Sequence, residues 1–435
     1  MNVSLFNQKI IEGNFNHPEL WPKRSELKKS SIKLDFDFGL DELPTEPGLI
    51  TLRGPRQYGK STWMELKLYE SLEKFGAGSA FYLNGDEIAD AAALKDQLET
   101  LSQAYSKKAL VRRLFIDEIT AIPDWEKALK RALDQGLLKN VLVVTTGSKA
   151  LDLRRGSERL PGRKGKLLRS EFIFLPISYK EFHSKAHEKL QTKTWMAYLL
   201  SGGSPLALND LYEEGRLHEY FIQLIRDWIF GEIIRSGRNR SSLLNLFSVL
   251  FQKACTPVGY AGLARDAGLA NNTIASGYIE QLSDLFCLLP SWPWDVNKKM
   301  LILRRPCKFH FINLAAAVCL HPSNIRSVSQ FEKLEPHIQA QFLEWLVAQE
   351  IWRRSVLANV ANPEAIGFWQ SSEHEIDFVS PQQEWIEVKR GKANALEFGW
   401  FPKTFPKQKL KVINSYSFET DFIEGISIEE FLLGK

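Results

Sequence analysis

A glycine-bounded run near the N-terminus has the residue types that bind phosphate. The run GPRQYGKS fits the pattern GxxxxGK[ST]; it follows the apolar segment Leu49–Leu52 and opens a helical pattern. Gly54 and Gly59 let backbone N–H groups curl around phosphate oxygens, and a helix N-terminus adds partial positive charge. We expect Lys60 to face the β- and γ-phosphates of ATP, and the Ser61 hydroxyl to bind Mg²⁺. The predicted nucleotide-binding residues are Gly54, Pro55, Arg56, Gln57, Tyr58, Gly59, Lys60, Ser61, Thr62 and Asp117.

Two carboxylates end a second apolar segment, RLFIDE. The carboxyl ends of parallel strands are where α/β sheets bind ligands. We expect Asp117 to hold the Mg²⁺ shell through water, and Glu118 to polarise the attacking water as a catalytic base. A third apolar segment, Val141–Val144, runs into TTGS, and there we predict that the Thr146 hydroxyl senses the γ-phosphate.

Acidic residues and a lysine recur at strand spacing near the C-terminus, where EIDFV and EVK flank the turn SPQQ. A hairpin centred on Gln382 places Asp377 opposite Glu387. The same register sets Glu375 opposite Lys389, and all four side chains share one face. Facing carboxylates destabilise a sheet because their Cβ atoms are only about 5 Å apart. We therefore expect a divalent cation between Asp377 and Glu387, with Lys389 orienting water or stabilising a scissile phosphate during metal-assisted cleavage.

The elements that must position the first two groups alternate along residues 48–178. Apolar runs typical of buried parallel strands lie at Leu49–Leu52, Ala80–Leu83, Leu114–Ile116 and Val141–Val144. Segments with helical periodicity lie between them, for example Trp63–Phe75 and Trp125–Gln135. This order predicts an α/β fold with a parallel sheet.

Composition restricts the class of protein. Apolar residues make up 44% and charged residues 25% of the 435 residues, which is typical of a water-soluble protein with two or three domains. No apolar run is long enough to span a bilayer, and the first residues lack a signal-peptide core. We therefore expect a cytoplasmic protein without a membrane partner. The four cysteines are widely spaced, which favours buried free thiols over zinc ligands or disulfides.

Basic residues concentrate between Lys149 and Arg169, although the net charge is only +4. A solvated loop and a phosphate-contacting segment both fit this stretch.

Together the motifs resemble a prokaryotic AAA+-like ATPase family of the AAA_14 type. The resemblance rests on the phosphate loop, the strand ending in Asp117 and Glu118, and several shorter runs. These runs are PDWE at 123–126, TGS at 146–148, Gly162-Arg163, LPISYKEF at 175–182 and GGSP at 202–205. The resemblance implies an AAA+ core with a helical lid, and it makes Arg163 a candidate catalytic arginine finger or sensor. A surface position for Arg163 is the alternative. An arginine finger acting in trans would require a homo-oligomer.

Residues 258–289 resemble a winged helix-turn-helix, in which Asn271 or Asn272 caps the second helix. That helix carries no Lys or Arg between Asn271 and Asp284, and DNA binding usually needs cations at phosphates. Contact with DNA and a purely structural role both remain open for it.

The tail resembles the PD-(D/E)xK nuclease superfamily, and members of the AAA+-like family carry a C-terminal domain, DUF4143, that is similar to that fold. The resemblance implies that the helix Gln341–Arg353, which contains Glu344 and Glu350, is the first helix of the nuclease-like fold. Relatives tend to have Asp-x-Gly after the strand Lys308–Ile312, whereas this chain has Asn-Leu-Ala.

Five segments follow from these patterns. They are a lead-in at 1–45 that packs on the first domain, a P-loop ATPase core at 46–180, a helical lid at 181–240, a winged-helix-like part at 241–325 and a restriction-endonuclease-like α/β domain at 326–435. The leading hypothesis is a Mg²⁺-dependent ATPase coupled to a nuclease-like domain that acts on DNA, for example in genome defence. The alternative is a regulatory ATP switch that binds a protein partner and has an inactive tail.

Overall fold

The computed structural model describes residues 3–147, 153, 162 and 165–434, and the chain divides into two compact units, Met1–Leu175 and Pro176–Lys435. Each unit contains a sheet of its own. Along these described ranges, every helix is too short or too polar to cross a bilayer. None of the four cysteines is in a disulfide bond; three are buried and Cys255 is partly exposed.

The first unit is an α/β layer structure. Its strands are β1 (Gly48–Arg53), β2 (Ala80–Asn84), β3 (Arg113–Asp117), β4 (Leu142–Gly147) and β5 (Glu171–Ile173). Its helices are α1 (Val3–Ile11), α2 (Pro22–Lys29), α3 (Lys60–Phe75), α4 (Ala91–Ala104) and α5 (Trp125–Asp134). The strand order is β2-β3-β4-β1-β5, with every pairing parallel. Parallel neighbours need crossover connections, which α3, α4 and α5 provide, and the predicted parallel α/β sheet is confirmed.

The strand order decides which loops meet. β4 lies between β1 and β3, so the loop after β1 and the residues that follow β3 flank the carboxyl end of β4. β1, β3 and β4 are buried along nearly their whole length, as expected for strands covered on both faces. The sheet therefore gathers the loop after β1 and the residues that end β3 and β4 at one edge.

The N-terminal segment packs on this sheet, as the sequence predicts. Asn7 on α1 brackets Tyr82 on the edge strand β2: its Nδ2 donates to the Tyr82 carbonyl at 2.7 Å, and the Tyr82 N–H donates to its Oδ1 at 3.0 Å. An unpaired edge is a template for unwanted strand pairing, so this side chain protects it. The Trp21 ring meets Phe6 and Tyr69 edge-on, with centroids 5.4 and 5.0 Å away.

The second unit combines helices with a mixed sheet. Its first seven helices are α6 (Tyr179–Leu190), α7 (Thr194–Ser201), α8 (Pro205–Glu214), α9 (Glu219–Arg235), α10 (Arg240–Gln252), α11 (Tyr260–Asp266) and α12 (Asn272–Asp284). The later helices are α13 (Leu314–Leu320), α14 (Val328–Glu332), α15 (Pro336–Leu357), α16 (Phe401–Thr404) and α17 (Ile428–Leu433). Residues 177–238 are thus helical, as their periodicity predicts.

Nine strands make up the second sheet. They are β6 (Leu288–Asp295), β7 (Met300–Leu301), β8 (Lys308–Phe311), β9 (Gly367–Gln370), β10 (Glu375–Val379), β11 (Trp385–Val388), β12 (Leu410–Ile413), β13 (Phe418–Glu419) and β14 (Ile423–Ile426). The order is β13-β14-β12-β11-β10-β9-β6-β7, and β8 pairs with β6. β10 is antiparallel to both neighbours, whereas β11, β12 and β14 run parallel.

Two local features follow from the sequence. A helix-turn-helix is formed by α11 and α12: Gly268 takes a φ of +66° in the turn, and the Asn271 side chain caps α12 by accepting from the Ile274 N–H at 3.0 Å. The run Gly367–Val379 forms two strands because residues between β9 and β10 turn, with the Ser371 N–H donating to the His374 carbonyl at 2.8 Å.

Candidate functional site

The loop after β1 has room for phosphate because its glycines replace side chains. A Cβ on Gly54 would stand 2.6 Å from the Phe174 carbonyl oxygen, and one on Gly59 would stand 2.6 Å from the Phe36 ring. Gly59 also has a φ of +98° at the start of α3, a conformation that suits glycine. The loop can therefore make this turn only with glycine at both positions.

The Lys60 ammonium lies inside this loop. The residue is 5% exposed, and Nζ donates to the carbonyls of Gly54 and Pro55 at 2.8 and 2.7 Å. Burial lowers the pKa of Lys60 from 10.5 to about 8, against the raising effect of the Glu118 and Asp117 charges. The cation is thus held at the centre of the phosphate loop by weak carbonyl partners that an anion can replace.

A hydrogen-bond network joins the ends of β2, β3 and β4. The Thr146 hydroxyl donates to Asp117 Oδ1 and accepts from the Glu118 N–H at 2.9 Å. The Tyr82 hydroxyl reaches Asp117 Oδ2 at 3.5 Å. Burial, and then the Asp117 charge, raises the pKa of Tyr82, so that its hydroxyl remains a donor. The backbone at Glu118 is left-handed, with a φ of +49°, and strain of this kind concentrates at functional sites.

One residue of the phosphate-binding group borders the same cavity as the two carboxylates. Ser61, Asp117 and Glu118 line a space of about 490 Å³, which residues of the N-terminal segment, including Phe6 and Leu20, also line. Thr62 follows Ser61 in the first turn of α3. The turn itself contains Arg56, Gln57 and Tyr58, of which Gln57 has a φ of +66° and Tyr58 is buried.

Most of the basic stretch, including Arg163, lies outside the described residues, so its predicted role stays a prediction. Arg169 is described: its guanidinium lies 4.5 Å from the centroid of the Phe172 ring, and its Nε donates to the Glu171 carbonyl at 3.0 Å. This member of the stretch packs on β5.

The acidic residues of the tail meet where β10 and β11 separate. Phe378 pairs with Ile386 and Val379 with Trp385, the register of a turn centred on Gln382. Beyond these pairs the two carboxylates bond to backbone amides. Glu387 Oε2 accepts from the Asp377 N–H at 3.2 Å, and Asp377 Oδ2 accepts from the Val388 N–H at 3.0 Å.

The expected contact between Glu375 and Lys389 is wrong. Glu375 pairs instead with Lys308 of β8, a 1%-exposed lysine whose Nζ also lies 3.2 Å from Asp377 Oδ1 and 3.6 Å from Glu344 Oε1. The pairing of β10 with β9 is irregular between Ile376 and Val379, and a buried ammonium needs anionic partners. Lys308 thus offsets part of the negative charge that, from the sequence, we expected a divalent cation to offset.

The remaining charges of this cluster respond to burial and to one another. Lys389 Nζ contacts Glu387 Oε1 at 2.6 Å and is about half exposed. Burial and the Asp377 charge raise the pKa of Glu387 to about 7 and that of Glu344 to about 8. Burial disfavours the charged form of Lys308 and so lowers its pKa. The negative charges of Glu344, Asp377 and Glu375 outweigh burial, and the pKa of Lys308 is raised above its ordinary value.

The two glutamates on α15 have different roles. Glu344 joins the acidic cluster, whereas Glu350 accepts from Arg353 at 2.8 Å and from Arg354 at 2.7 Å. Sequence reasoning missed Lys308; a lysine inside the apolar strand KFHF was the signal that could have indicated it.

Comparison with known proteins concerns the part of the chain that contains the first of these sites. The family model described as AAA domain matches residues 46–183. An uncharacterised protein of Methanocaldococcus jannaschii is 24% identical over 280 residues, which are 60% of this chain. The chain spans 60% of the length of that curated relative.

Two solved structures align with the chain at low similarity. The Walker-type ATPase of Pyrococcus abyssi is 13% identical, with a TM-score of 0.42, over 73% of this chain and 95% of its own. A RuvB variant of Thermotoga maritima is 15% identical, with a TM-score of 0.33, over 56% and 82%. The phosphate loop, Asp117, Glu118 and Thr146 all fall within the range of the family match, and residues 46–183 are therefore an AAA domain of the P-loop ATPase type.

Proposed function

We propose that the AAA domain binds ATP with Mg²⁺ and hydrolyses it. The observation that carries this proposal is the arrangement at the edge of the first sheet. Lys60 lies inside the phosphate loop, and the Thr146 hydroxyl holds Asp117 and the Glu118 amide beside it. Preorganised cations and dipoles of this kind are what phosphoryl transfer requires, because the reaction is mostly positioning and charge stabilisation.

The donor set fits Mg²⁺. The Ser61 hydroxyl and the Asp117 carboxylate border the same cavity, and hard oxygen donors are the ligands that Mg²⁺ prefers. Ser61 and Asp117 would hold Mg²⁺, which would supply positive charge to offset that of the phosphates. Asp117 is orientated for this role by Thr146 on one oxygen and by Tyr82 on the other.

Each residue then has one task in hydrolysis. Lys60 exchanges its two carbonyl partners for β- and γ-phosphate oxygens. Glu118 orients the water that attacks the γ-phosphorus and takes its proton, while the bond from phosphorus to the β–γ bridging oxygen breaks. The Thr146 hydroxyl couples Glu118 to the γ-phosphate end of the site. Arg163 is proposed to complete the site, from the same chain or from a neighbouring copy.

ATP binding by a lysine variant tests this function. Lys60→Ala should abolish tight ATP binding in calorimetry, because it removes the cation that is expected to face the β- and γ-phosphates. Lys74→Ala, an exposed change at the end of the same helix, is the matched control and should bind as wild type. ATP affinity that is the same in both variants would contradict the proposed site.

For the tail we propose a PD-(D/E)xK nuclease-like domain of the DUF4143 type, which acts on DNA in response to ATP hydrolysis. Support comes from Asp377 on β10, Glu387 on β11 and Lys389 just after β11, whose polar groups contact one another in succession. The second candidate is a regulatory ATP switch with an inactive tail, and Lys308 favours it because its ammonium already offsets Asp377. Mn²⁺-dependent DNA cleavage that disappears in Asp377→Ala would support the nuclease; no cleavage by the wild type would support the switch.

A further inference from the structure

Two histidines lie one turn apart on α6, in the second unit. His183 and His187 are spaced i, i+4, which puts both side chains on one face of the helix. Their rings are stacked, with centroids 4.2 Å apart and planes 23° apart. Glu429 of α17 reaches the same face, and one ligand atom from each of the three residues lies within 4.8 Å of the other two.

The hydrogen bonds around His187 leave one nitrogen free to act as a ligand. His187 Nδ1 lies 3.3 Å from Thr194 Oγ1. The single hydroxyl proton of Thr194 goes to the Gln191 carbonyl, at 2.6 Å, so Thr194 accepts from His187. Nδ1 therefore carries the proton and Nε2 has the lone pair. Metal-binding histidines are fixed in this way by a partner on the second nitrogen.

Glu429 is positioned by a comparable contact. The buried Tyr179 hydroxyl donates to Glu429 Oε1 at 2.8 Å, which fixes the carboxylate and leaves Oε2 available. The start of α17 is fixed as well, because Ser427 and Glu430 form a reciprocal capping box around it. The third ligand is thus held by its own helix and by α6.

We propose that His183, His187 and Glu429 bind a divalent transition-metal ion, with zinc as the expected occupant. Two imidazoles and one carboxylate are a ligand set that binds Zn²⁺ and leaves a coordination position for water. Imidazole nitrogens favour zinc over Mg²⁺, which prefers oxygen ligands. The metal would join α6 to the C-terminal helix α17, two elements that are about 240 residues apart in sequence. Neither the phosphate loop nor the acidic cluster contributes a residue to this site.

Metal binding by the whole 435-residue chain tests the proposal. The protein is first treated with a chelator, and no nucleotide is added. Zn²⁺ should bind one equivalent by calorimetry and raise the melting temperature, and Co²⁺ should give visible d–d absorption. His183→Ala, His187→Ala and Glu429→Gln should each lose these signals, while the exposed-histidine control His337→Ala keeps them. Melting in chelator shows that each variant is folded.

Two further variants sharpen the result. Tyr179→Phe should weaken Zn²⁺ binding by about 10- to 100-fold, the usual effect of removing a partner of a metal ligand. Cys255→Ser should leave binding unchanged, although Cys255, His310 and Glu344 also lie together. The proposal is overturned if the three ligand variants bind Zn²⁺ as wild type does, or if binding is lost in Cys255→Ser instead.

Discussion

At the scale of single residues, one hydroxyl organises the acidic edge of the AAA domain. Thr146 is fully buried and bonds both to the Asp117 carboxylate and to the Glu118 amide. Thr146→Val keeps the shape and removes both bonds, so the Glu118 amide loses its partner. We expect unfolding to become easier by about 1–3 kcal/mol, and ATP turnover to fall about tenfold or more while ATP affinity changes little.

Thr145→Val is the matched control for this prediction. Thr145 is also fully buried in β4, but its hydroxyl donates to the Ile50 carbonyl at 3.3 Å instead of to the acidic residues. The control should lose some stability and keep its turnover. Equal losses of turnover in both variants would mean that Thr146 acts only through the stability of the strand. Phosphate release and chemical denaturation supply the two readouts.

How well single residues could be predicted depends on how local their partners are. Lys60 belongs to an eight-residue pattern from which the sequence predicts a lysine facing the β- and γ-phosphates, and this role stays a prediction. In the structure its Nζ donates to two carbonyls of the same loop. Lys308 has its three acidic partners on α15 and β10, at least 36 residues further along the chain. No local sequence pattern contains those contacts. The sequence therefore predicts a divalent metal ion, and not Lys308, as the cation of the acidic cluster.

At the scale of elements, the alternation of side chains along a strand and the register of strand pairing were predictable where one face of the sheet is buried. The β10–β11 pairing follows the predicted register because Phe378 and Ile386, both nearly inaccessible, must share the buried side. The pairing of Glu375 failed because the strand is irregular against β9. A bulge changes which side chains share a face of the sheet, and no residue pattern in the sequence predicts this irregularity.

The acidic cluster yields a prediction at this scale. Lys308→Met removes the ammonium that lies among Glu344, Glu375 and Asp377. Buried charges left without a partner cost about 3–5 kcal/mol, so the second unit should be strongly destabilised. Millimolar Mn²⁺ should restore much of this loss, since it can replace the missing positive charge, and should raise the stability of the variant more than that of the wild type.

Thermal unfolding with and without Mn²⁺ measures both effects. Lys298→Met, a change of the same type in an exposed loop, should melt like the wild type in either condition. A Lys308→Met protein with wild-type stability would show that the acids are not held as charged groups. Destabilisation that Mn²⁺ does not relieve would show that the lysine does not stand where a metal can bind.

At the scale of the whole molecule, the parallel sheet was predictable as a class of fold because four of its five strands are short apolar runs, whereas β5 was not predicted. The nine-stranded second sheet was not, since it joins β6 to strands about 75 residues later. The division of the chain into two units after Leu175 depends on contacts between residues far apart in sequence, which no local sequence pattern contains. The five-segment division made from the sequence stays a prediction.

At the same scale, substitution of Arg163 tests whether the protein assembles around shared ATP sites. If Arg163 completes a neighbouring ATP site, Arg163→Ala should keep ATP bound and lose hydrolysis by roughly 10³-fold, the usual effect of an arginine finger. ATP should then also favour oligomers in light scattering. Lys166→Ala, in the same basic stretch, serves as the control and should hydrolyse ATP normally.

Mixing two inactive variants makes the test specific for action in trans. Lys60→Ala retains Arg163 but cannot hold ATP, whereas Arg163→Ala holds ATP without the arginine. Hydrolysis should return in part when the two are mixed, because an interface at which the loop of Arg163→Ala faces the arginine of Lys60→Ala is complete. A mixture of the two variants that does not hydrolyse ATP, together with a wild-type monomer that is fully active at every concentration, would contradict a shared site.

We propose Glu118 as the base for ATP hydrolysis by residues 46–183, and phosphate release by Glu118→Gln tests this role most directly. The variant keeps the Glu118 amide that bonds to Thr146 but cannot accept a proton from water. ATP should bind as tightly as to the wild type, and turnover should fall by roughly 10²-fold or more. Turnover within a few-fold of the wild type, at equal ATP occupancy, would contradict the account.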